Sequence, residues 1–129
     1  MRQDILADTF SALDNARQVG KQEVVIEPAS ELVKNVLIVL QQKGYIGLFE
    51  HIENQRGGKF KVEVGNAINK ASVIKPRFSV SKDDYQKYEK RYLPARGFGD
   101  LIITTPRGVM SHQEANEKGI GGKLLGYIY

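Results

Sequence analysis

One short segment, Thr104–Ala115, constrains the fold of this chain most, because strand, turn and helix signals follow one another directly along it. The apolar residues Leu101–Ile103 lead into two threonines, and Pro106 then fixes φ at the second position of a β-turn. Gly108 stands at the fourth position, which matches the preference of type I turns. The segment therefore predicts a tight hairpin with a cation, Arg107, at its tip.

A helix start follows the second strand of this hairpin. Ser111 and Glu114 have the S-x-x-E spacing of a capping box, in which the serine oxygen accepts from a free N–H of the first turn and the glutamate side chain reaches back to the serine amide. A helix is therefore expected from Ser111 to Lys118. A corner with hydroxyl groups and a cation beside a helix N-terminus suits phosphates, sugars or an unstacked base.

Charge is divided unevenly along the chain. Residues 1–65 hold 8 Lys and Arg against 9 Asp and Glu, whereas residues 66–129 hold 11 against 6. The half that contains the predicted hairpin therefore carries +5, and the other half carries −1. This asymmetry favours a polyanionic partner, although charge alone does not distinguish a nucleic acid from other acidic ligands.

Several protein classes are excluded by composition. The chain has no cysteine, which rules out disulfides and thiolate metal sites, and its 2 histidines cannot form a His-rich metal site alone. The longest apolar run, Val36–Leu40, is too short to cross a bilayer, and the first residues show no signal-peptide pattern. We expect a soluble intracellular protein with no membrane partner, no metal and no cofactor.

Residues 1–65 predict a compact α/β lobe in the order helix, strand, helix, strand, strand. Apolar stripes define the helices, Asp4 and Ser30 fit their caps, and Gly44 fits a left-handed helix end. Alternation of apolar and polar residues predicts that the last two strands form a hairpin with one solvated face. The predicted helices cover residues 4–17 and 31–43, and the strands cover 22–27, 45–53 and 59–64.

Residues 66–129 predict a second, mostly β lobe with one short helix, packed tightly on the first in an α+β fold. Pro76 fits only an edge or a kink of an extended segment. In chain order the second lobe is predicted to contain extended segments at 68–70 and 73–80, a short helical segment through residue 89, and strands at 101–104 and 124–129 around the helix that starts at Ser111.

Tyrosines alternate with cations in the middle of the second lobe. Tyr85 and Tyr92 lie near Arg91 and Arg96, a mixture that suits stacking on bases and contact with phosphates. The alternative is that these rings pack at the rim of the core while the charges are solvated.

No arrangement of residues predicts an enzyme. Ser111 and His112 are neighbours in sequence, whereas a catalytic pair needs opposed side chains and an orienting acid, so we expect His112 at the surface or in an interface. Asp83 and Asp84 fit a helix cap better than a metal site. The glycines at 119–122 do not follow a nucleotide-loop spacing, and Gly121 and Gly122 are expected to let the backbone turn or approach RNA closely.

Three segments resemble one universal family, ribosomal protein eight of the small subunit. Thr104–Met110 resembles its S-T-x-x-G-[VI]-M signature, and Gly119–Tyr129 is similar to its C-terminal G-x-G-G-x-ϕ-ϕ-x-Y-ϕ pattern, where ϕ is apolar. Arg91–Gly99 resembles a segment of the archaeal and eukaryotic branch. The likeness extends over nearly the whole chain.

The resemblance implies a two-lobed protein that binds the central domain of small-subunit ribosomal RNA directly, supports subunit assembly and touches neighbouring small-subunit proteins. It implies no small-molecule substrate. The S-T positions of the signature become Thr104 and Thr105, and Gly108 is its turn glycine. Pro106 stands where the family often has a serine, and Lys123 where many bacterial members are acidic.

The predicted RNA-binding set combines the positions of the family signature with the residues that the hairpin, the glycine pair and the tyrosine–cation pattern indicate. Its members are Thr104, Thr105, Arg107, Gly108, Ser111, Gly121, Gly122, Lys123, Tyr85, Arg91, Tyr92 and Arg96. The alternative function is a small α/β enzyme or regulatory domain with an acidic ligand, which charge and glycine content permit but no motif specifies.

Overall fold

Helices and strands alternate through the first half of the chain, and strands predominate in the second. A computed structural model describes residues 4–129. Residues 1–3 lie outside the described residues. They belong to the predicted first lobe and to the N-terminal segment in which no signal peptide was expected. The elements in chain order are α1 (Ile5–Val19), β1 (Glu23–Ile26), α2 (Glu31–Gln42), β2 (Ile46–Ile52), β3 (Lys59–Val64), β4 (Ala71–Val73), β5 (Ser79–Val80), α3 (Tyr85–Tyr92), β6 (Asp100–Thr105), β7 (Gly108–Ser111), α4 (His112–Lys118) and β8 (Gly122–Ile128).

The first two helices begin and end where their local signals predict. The Asp4 carboxylate accepts from the N–H groups of Leu6 and Ala7, and the Ser30 hydroxyl accepts from the N–H of Val33. Gly20 after α1 and Gly44 after α2 adopt left-handed conformations, with φ of 76° and 83°. Both ends are therefore satisfied as helix termini require.

The first sheet has the strand order β1-β3-β2 and is antiparallel throughout. The predicted hairpin of its last two strands is confirmed. Phe60, Val62 and Val64 of β3 are buried against α1 and α2, whereas Glu63 on the same strand is exposed. One face of this sheet is thus covered by helices and the other faces solvent.

The second sheet is built around β8. Its strand order is β4-β8-β6-β7, and β5 also pairs with β8. The predicted extended segment 73–80 is only partly a strand: Val73 ends β4, Ser79–Val80 form β5, and residues 74–78 belong to neither. The strands β4 and β5 pair with opposite ends of β8. Residues 68–70 are not a strand, because the N–H groups of Asn69 and Lys70 both donate to the carbonyl of Tyr129 instead of forming a ladder.

One hydrophobic core crosses the predicted lobe boundary at residue 65. Ile102, Leu125 and Ile128 of the second sheet pack in the same cluster as α1 and α2. The opposite face of the second sheet carries Leu101 and Ile103, which pack in a separate cluster with α3. Both helical segments predicted for the second lobe are present, as α3 and α4. The helices α1 and α2 pack against one face of the second sheet, and α3 packs against the other.

A buried polar group joins the two halves of the chain. The Tyr45 hydroxyl donates to Oδ2 of Asp100 over 2.7 Å, and the Lys43 ammonium lies 3.6 Å from Oδ1 of the same carboxylate. Burial, the hydrogen bond to Asp100 and the Asp100 charge all raise the pKa of Tyr45 above its ordinary value. Tyr45 therefore stays protonated and acts as a donor to Asp100.

Candidate nucleic-acid interface

The predicted hairpin is confirmed. Thr105 pairs with Gly108, so that only Pro106 and Arg107 form the turn between β6 and β7. The Thr105 hydroxyl donates to the Gly108 carbonyl over 2.8 Å and accepts from the Arg107 N–H over 3.1 Å. Gly108 has a φ of 111°, which favours glycine. The hydroxyl of Thr105 is therefore used to hold the turn that presents Arg107.

The neighbouring threonine has a different role. Thr104 pairs with Lys123 of β8, and Lys123 pairs with Ser79 of β5, so the three residues form one row across three strands. Directly paired residues project from the same face of a sheet. Within residues 4–129 the Thr104 hydroxyl makes no hydrogen bond to another residue. This polar row, Thr104, Lys123 and Ser79, therefore offers hydroxyl groups and a cation to a ligand.

Ser111 braces the hairpin against α4 and is not open to a ligand. Its hydroxyl accepts from the N–H of Glu114 over 3.3 Å, as the capping signal predicts, and the residue is 1% exposed. The Glu114 carboxylate lies 3.9 Å from the ammonium of Lys118 rather than folding back on Ser111. Ser111 therefore leaves the predicted RNA-binding set, because its oxygen is buried and already hydrogen-bonded.

The expectation that His112 lies at the surface or in an interface is wrong. The residue is 3% exposed, and its Nδ1 accepts from the N–H of Leu101 over 3.0 Å. Its Nε2 lies 3.4 Å from a carboxylate oxygen of Glu89. His112 thus connects α4 with β6 and α3. The burial of His112 could not be predicted from its position after a helix cap, because both of its partners come from other elements.

The two glycines before Lys123 are required by the chain itself. A Cβ on Gly121 would meet the carbonyl of Val80, and one on Gly122 would meet the carbonyl of Thr104. Gly122 therefore lets β8 approach β6 closely at the point where Thr104 and Lys123 pair. We predicted that these glycines permit a turn or a close approach to RNA. In the structure they permit the close approach of neighbouring backbone segments of the protein itself.

Burial divides the predicted tyrosines of α3. Tyr85 is 3% exposed and its hydroxyl donates to the carbonyl of Ile120 over 2.7 Å, so the structure removes it from the predicted set. Burial also raises the pKa of Tyr85. Tyr92 is half-buried, and its ring stacks on that of Tyr127 with a centroid separation of 5.4 Å. Packing against the core is thus the role of Tyr85, whereas Tyr92 remains partly exposed.

The remaining predicted residues gather at two separate ends of β8. We call the first the hairpin end; it comprises Thr104, Thr105, Arg107, Gly108 and Lys123. The second, the aromatic end, lies where Tyr92 stacks on Tyr127. Tyr127 is four residues after Lys123 along β8, which separates the two residues by about 13 Å at the usual rise of a strand. It comprises Arg91, Tyr92 and Arg96 together with three residues that the sequence did not single out, Phe98, Tyr127 and Tyr129. The alternation of Tyr127 and Tyr129 along β8 is the signal that could have indicated a shared face.

Cations at both ends lack carboxylate partners among the described residues. By contrast, Lys70 lies 3.7 Å from Asp14, and Lys75 and Arg77 lie 3.3 Å and 3.7 Å from Asp4 at the start of α1. The exposed cations of the second lobe for which residues 4–129 provide no ion pair are Lys82, Lys87, Lys90, Arg91, Arg96, Arg107 and Lys123. Four of these cations lie at the two ends of β8: Arg107 and Lys123 at the hairpin end, and Arg91 and Arg96 at the aromatic end.

Other kinds of site find no support in the part of the chain that the structure describes. Residues 4–129 contain no group of three or more His, Asp or Glu side chains that could hold a metal ion. In the same range no helix has the length and apolar character needed to span a bilayer.

Comparison with known proteins identifies the family of this chain. The model of the family described as Ribosomal protein S8 matches residues 4–129. The chain is also 51% identical over 129 residues to the protein named Small ribosomal subunit protein uS8 from Picrophilus torridus, and the alignment covers 100% of both chains. Because both matches extend over essentially the entire length, this protein belongs to the ribosomal protein S8 family.

Proposed function

We propose that this chain is a structural constituent of the small ribosomal subunit in the cytoplasm, where it binds ribosomal RNA directly and supports subunit assembly. We place its binding site on the central domain of that RNA, beside other small-subunit proteins. Family membership and the name of the Picrophilus torridus relative support the assignment to the small subunit. In this role the protein binds ribosomal RNA and stabilises its fold, and it catalyses no reaction.

The observation that carries direct RNA binding is the geometry of the hairpin end. Thr104 offers a hydroxyl that no other described residue uses, and it lies directly across from Lys123 in the ladder. Arg107 stands exposed on a turn that Thr105 holds by two hydrogen bonds. Hydroxyl groups and cations fixed in this way suit the phosphates and 2′-hydroxyls of folded RNA.

The rigidity of this end favours binding of a preformed RNA shape. Strand pairing on both sides of Thr104 holds its position, and the turn hydrogen bonds hold that of Arg107 before RNA arrives. Little conformational freedom is then lost on association, which preserves binding free energy. We therefore assign shape-specific anchoring to the hairpin end.

Binding of the full-length protein to two ribosomal RNA fragments of equal length tests this function. One fragment contains the central domain of the small-subunit RNA, and the other comes from a different domain. We expect the central-domain fragment to bind at least about tenfold more tightly at about 0.2 M salt, since non-specific electrostatic binding is weak there. Equal affinity for both fragments would show that binding is only electrostatic.

A pair of double variants locates the site. Arg107→Ala with Lys123→Ala removes two exposed cations of the hairpin end, and Lys21→Ala with Lys34→Ala removes two exposed cations of the first lobe. The net charge falls equally in both proteins. The first variant should lose affinity for the central-domain fragment, and the second should bind nearly as the unchanged protein does. The reverse result would move the binding site to the first lobe.

A further inference from the structure

Four aromatic rings form a continuous row at the aromatic end of β8. The ring of Tyr92 stacks on Tyr127, and Tyr127 stacks on Tyr129 with a centroid separation of 6.2 Å and an interplanar angle of 14°. Tyr129 then meets Phe98 at 6.2 Å and 45°. We call Tyr92, Tyr127, Tyr129 and Phe98 the aromatic row. Its inner members are half-buried against the core cluster around α3.

Phe98 ends this row and is unusually open. It is 50% exposed, and the other large apolar side chains exposed among residues 4–129 are aliphatic, namely Val19, Val25 and Leu48. An exposed aromatic ring that adjoins other aromatic rings extends an apolar surface, and such contiguous surfaces mark interaction sites. The Phe98 side chain is therefore the part of the row that is most open to a partner.

The backbone around Phe98 fixes this exposure. Gly97 and Gly99 have φ values of 74° and 100°, and the N–H of Phe98 donates to the carbonyl of Ala95. A Cβ on Gly99 would lie 2.7 Å from the Cβ of Tyr129, so the loop rests directly on the end of β8. Two glycines thus hold the loop against the sheet while Phe98 projects beside Tyr129.

The charge beside the row is positive. The guanidinium carbon of Arg91 lies 5.1 Å from the ring centroid of Phe78 and 5.5 Å from that of Tyr92, which are cation–π distances. Arg96 is exposed in the loop that leads to Phe98, and within residues 4–129 neither arginine has an ion-pair partner. A ligand that fits this end combines a flat ring with a negative charge.

We propose that the aromatic row is a stacking platform for an unpaired RNA base, with Phe98 as the ring that receives the base and Arg91 and Arg96 as contacts for the adjoining phosphates. This proposal rests on the proposed function, because the RNA of the small subunit supplies the base. Aromatic rings combined with cations are the surface that binds single-stranded nucleic acid. A protein surface is the less suitable occupant, because in RNA every base adjoins a phosphate, so that a ring and a negative charge always come together.

The chain contains no tryptophan, which provides a direct test. Phe98→Trp in the full-length protein introduces a single indole whose fluorescence reports stacking at this position. We expect a ten-nucleotide oligoadenylate to quench it strongly, and an abasic oligonucleotide of the same length and charge to quench it weakly. Leu48→Trp is the matched control, because Leu48 is 70% exposed on the first lobe and should show no dependence on the bases.

Affinity variants give a second measurement. Phe98→Leu keeps an apolar side chain but removes the ring, and should weaken binding to the central-domain fragment about fivefold or more, which is the lower end of the usual effect of one stacked base. Phe98→Tyr keeps the ring and should bind as the unchanged protein does. The melting temperature of both should stay within a few degrees of the original, because half of the side chain is already exposed.

The outcomes separate this proposal from the proposed function. Equal quenching by the abasic and adenine-containing strands, or unchanged affinity of Phe98→Leu, would overturn the stacking platform. If Arg107→Ala with Lys123→Ala still weakened binding in that case, RNA recognition through the hairpin end would stand. If the unchanged protein bound the central-domain fragment no better than an unrelated one, both proposals would fail.

Discussion

The two ends of β8 hold their exposed groups in different ways. At the hairpin end, Thr104 and Lys123 are positioned by strand pairing, and Arg107 is positioned by the hydroxyl of Thr105. At the aromatic end, a loop between two glycines presents Phe98 against Tyr129. Hydrogen-bonding groups on a paired strand suit a folded RNA backbone, whereas exposed rings suit a base that has left its stack.

This difference indicates a division of labour within one sheet. The hairpin end has little freedom and should select RNA by shape, and the aromatic end should add affinity where a base is unpaired. Both ends carry cations for which the described residues provide no carboxylate partner. Electrostatic attraction should therefore be common to both ends, and hydrogen bonding or stacking should distinguish them.

Salt should have the largest effect on RNA affinity. If about five cations contact phosphates, the slope of log K against log salt should lie near −3 to −5. A fourfold rise in salt, from about 50 mM to about 200 mM, would then weaken binding roughly 60- to 1000-fold. Equilibrium binding of the full-length protein to the central-domain fragment measures this slope, and a slope near zero would refute electrostatic recognition.

The same titration compares the two ends. Arg107→Ala with Lys123→Ala should make the slope shallower by about 1.5, because each phosphate contact contributes about 0.7 to 0.9. Arg91→Ala with Arg96→Ala should do the same if the aromatic end also contacts phosphates. An unchanged slope in only one of the two variants would assign the phosphate contacts to the other end.

Gly122→Ala should damage the hairpin end through the fold. The added methyl group would meet the carbonyl of Thr104, so β8 would have to move away from β6. Overpacking of this kind typically costs about 1–3 kcal/mol of unfolding free energy. Denaturant unfolding measures the loss, and base-dependent quenching in a Phe98→Trp background should persist because the aromatic end lies apart.

Gly65→Ala is the matched control for this prediction. Nothing lies within 4 Å of a Cβ built on Gly65, and its φ is not positive. Its unfolding free energy should stay within about 0.5 kcal/mol of that of the unchanged protein. Equal losses in the two variants would mean that the close approach of β8 to β6 is not the cause.

Thr104→Val should weaken RNA binding without affecting the fold. Valine keeps the shape of threonine and removes a hydroxyl that no other described residue uses. We expect a loss of about 1–2 kcal/mol in binding free energy, which spans the range from a neutral hydrogen bond to one with a charged phosphate, and an unchanged melting temperature. Titration calorimetry with the central-domain fragment and thermal unfolding provide the two measurements.

Thr105→Val should act differently. It removes both hydrogen bonds that hold the turn, so stability should fall by about 1 kcal/mol and RNA affinity should fall indirectly as Arg107 becomes mobile. If both valine variants bound RNA normally while folded, the hairpin would be only a structural element. Equal stability of the two variants would contradict the distinction between the threonines.

The smallest effects concern the turn itself. Arg107→Ala should cost about 1 kcal/mol in binding free energy, because a charge-assisted contact is lost. Pro106→Ser should change affinity by less than about 0.5 kcal/mol, since the gained hydroxyl is offset by a looser turn before binding. A large gain from Pro106→Ser together with a silent Arg107→Ala would show that a serine at this position makes the better contact.

Much of the fold follows from signals that lie close together in sequence. Asp4, Ser30 and Gly44 mark helix ends that the structure confirms, because a cap forms with residues two to four positions away. The hairpin tip was likewise predictable, since Pro106 and Gly108 restrict the backbone locally. The family could be recognised for the same reason, because its signature coincides with this turn.

The accessible residues could not be predicted in the same way. Tyr85 and His112 are buried by partners far along the chain, namely Ile120 for the first and both Leu101 and Glu89 for the second. Ser111 was identified correctly as a cap, but its burial follows from the packing of α4 against the sheet. Exposure depends on which elements meet, and local periodicity does not report that.

The sequence by itself determined the helix and hairpin boundaries, the excess positive charge of the second half and the hydroxyl and cation at the hairpin. Those properties depend on chemistry within a few residues of each position. The tertiary structure alone decided that Thr104 is free while Thr105 is engaged, that Gly122 serves the approach of β8 to β6, and that Phe98 completes a row with Tyr129. Each of these depends on strand pairing or loop packing between residues distant in sequence, and it is this pairing that divides the candidate RNA contacts between the two ends of β8.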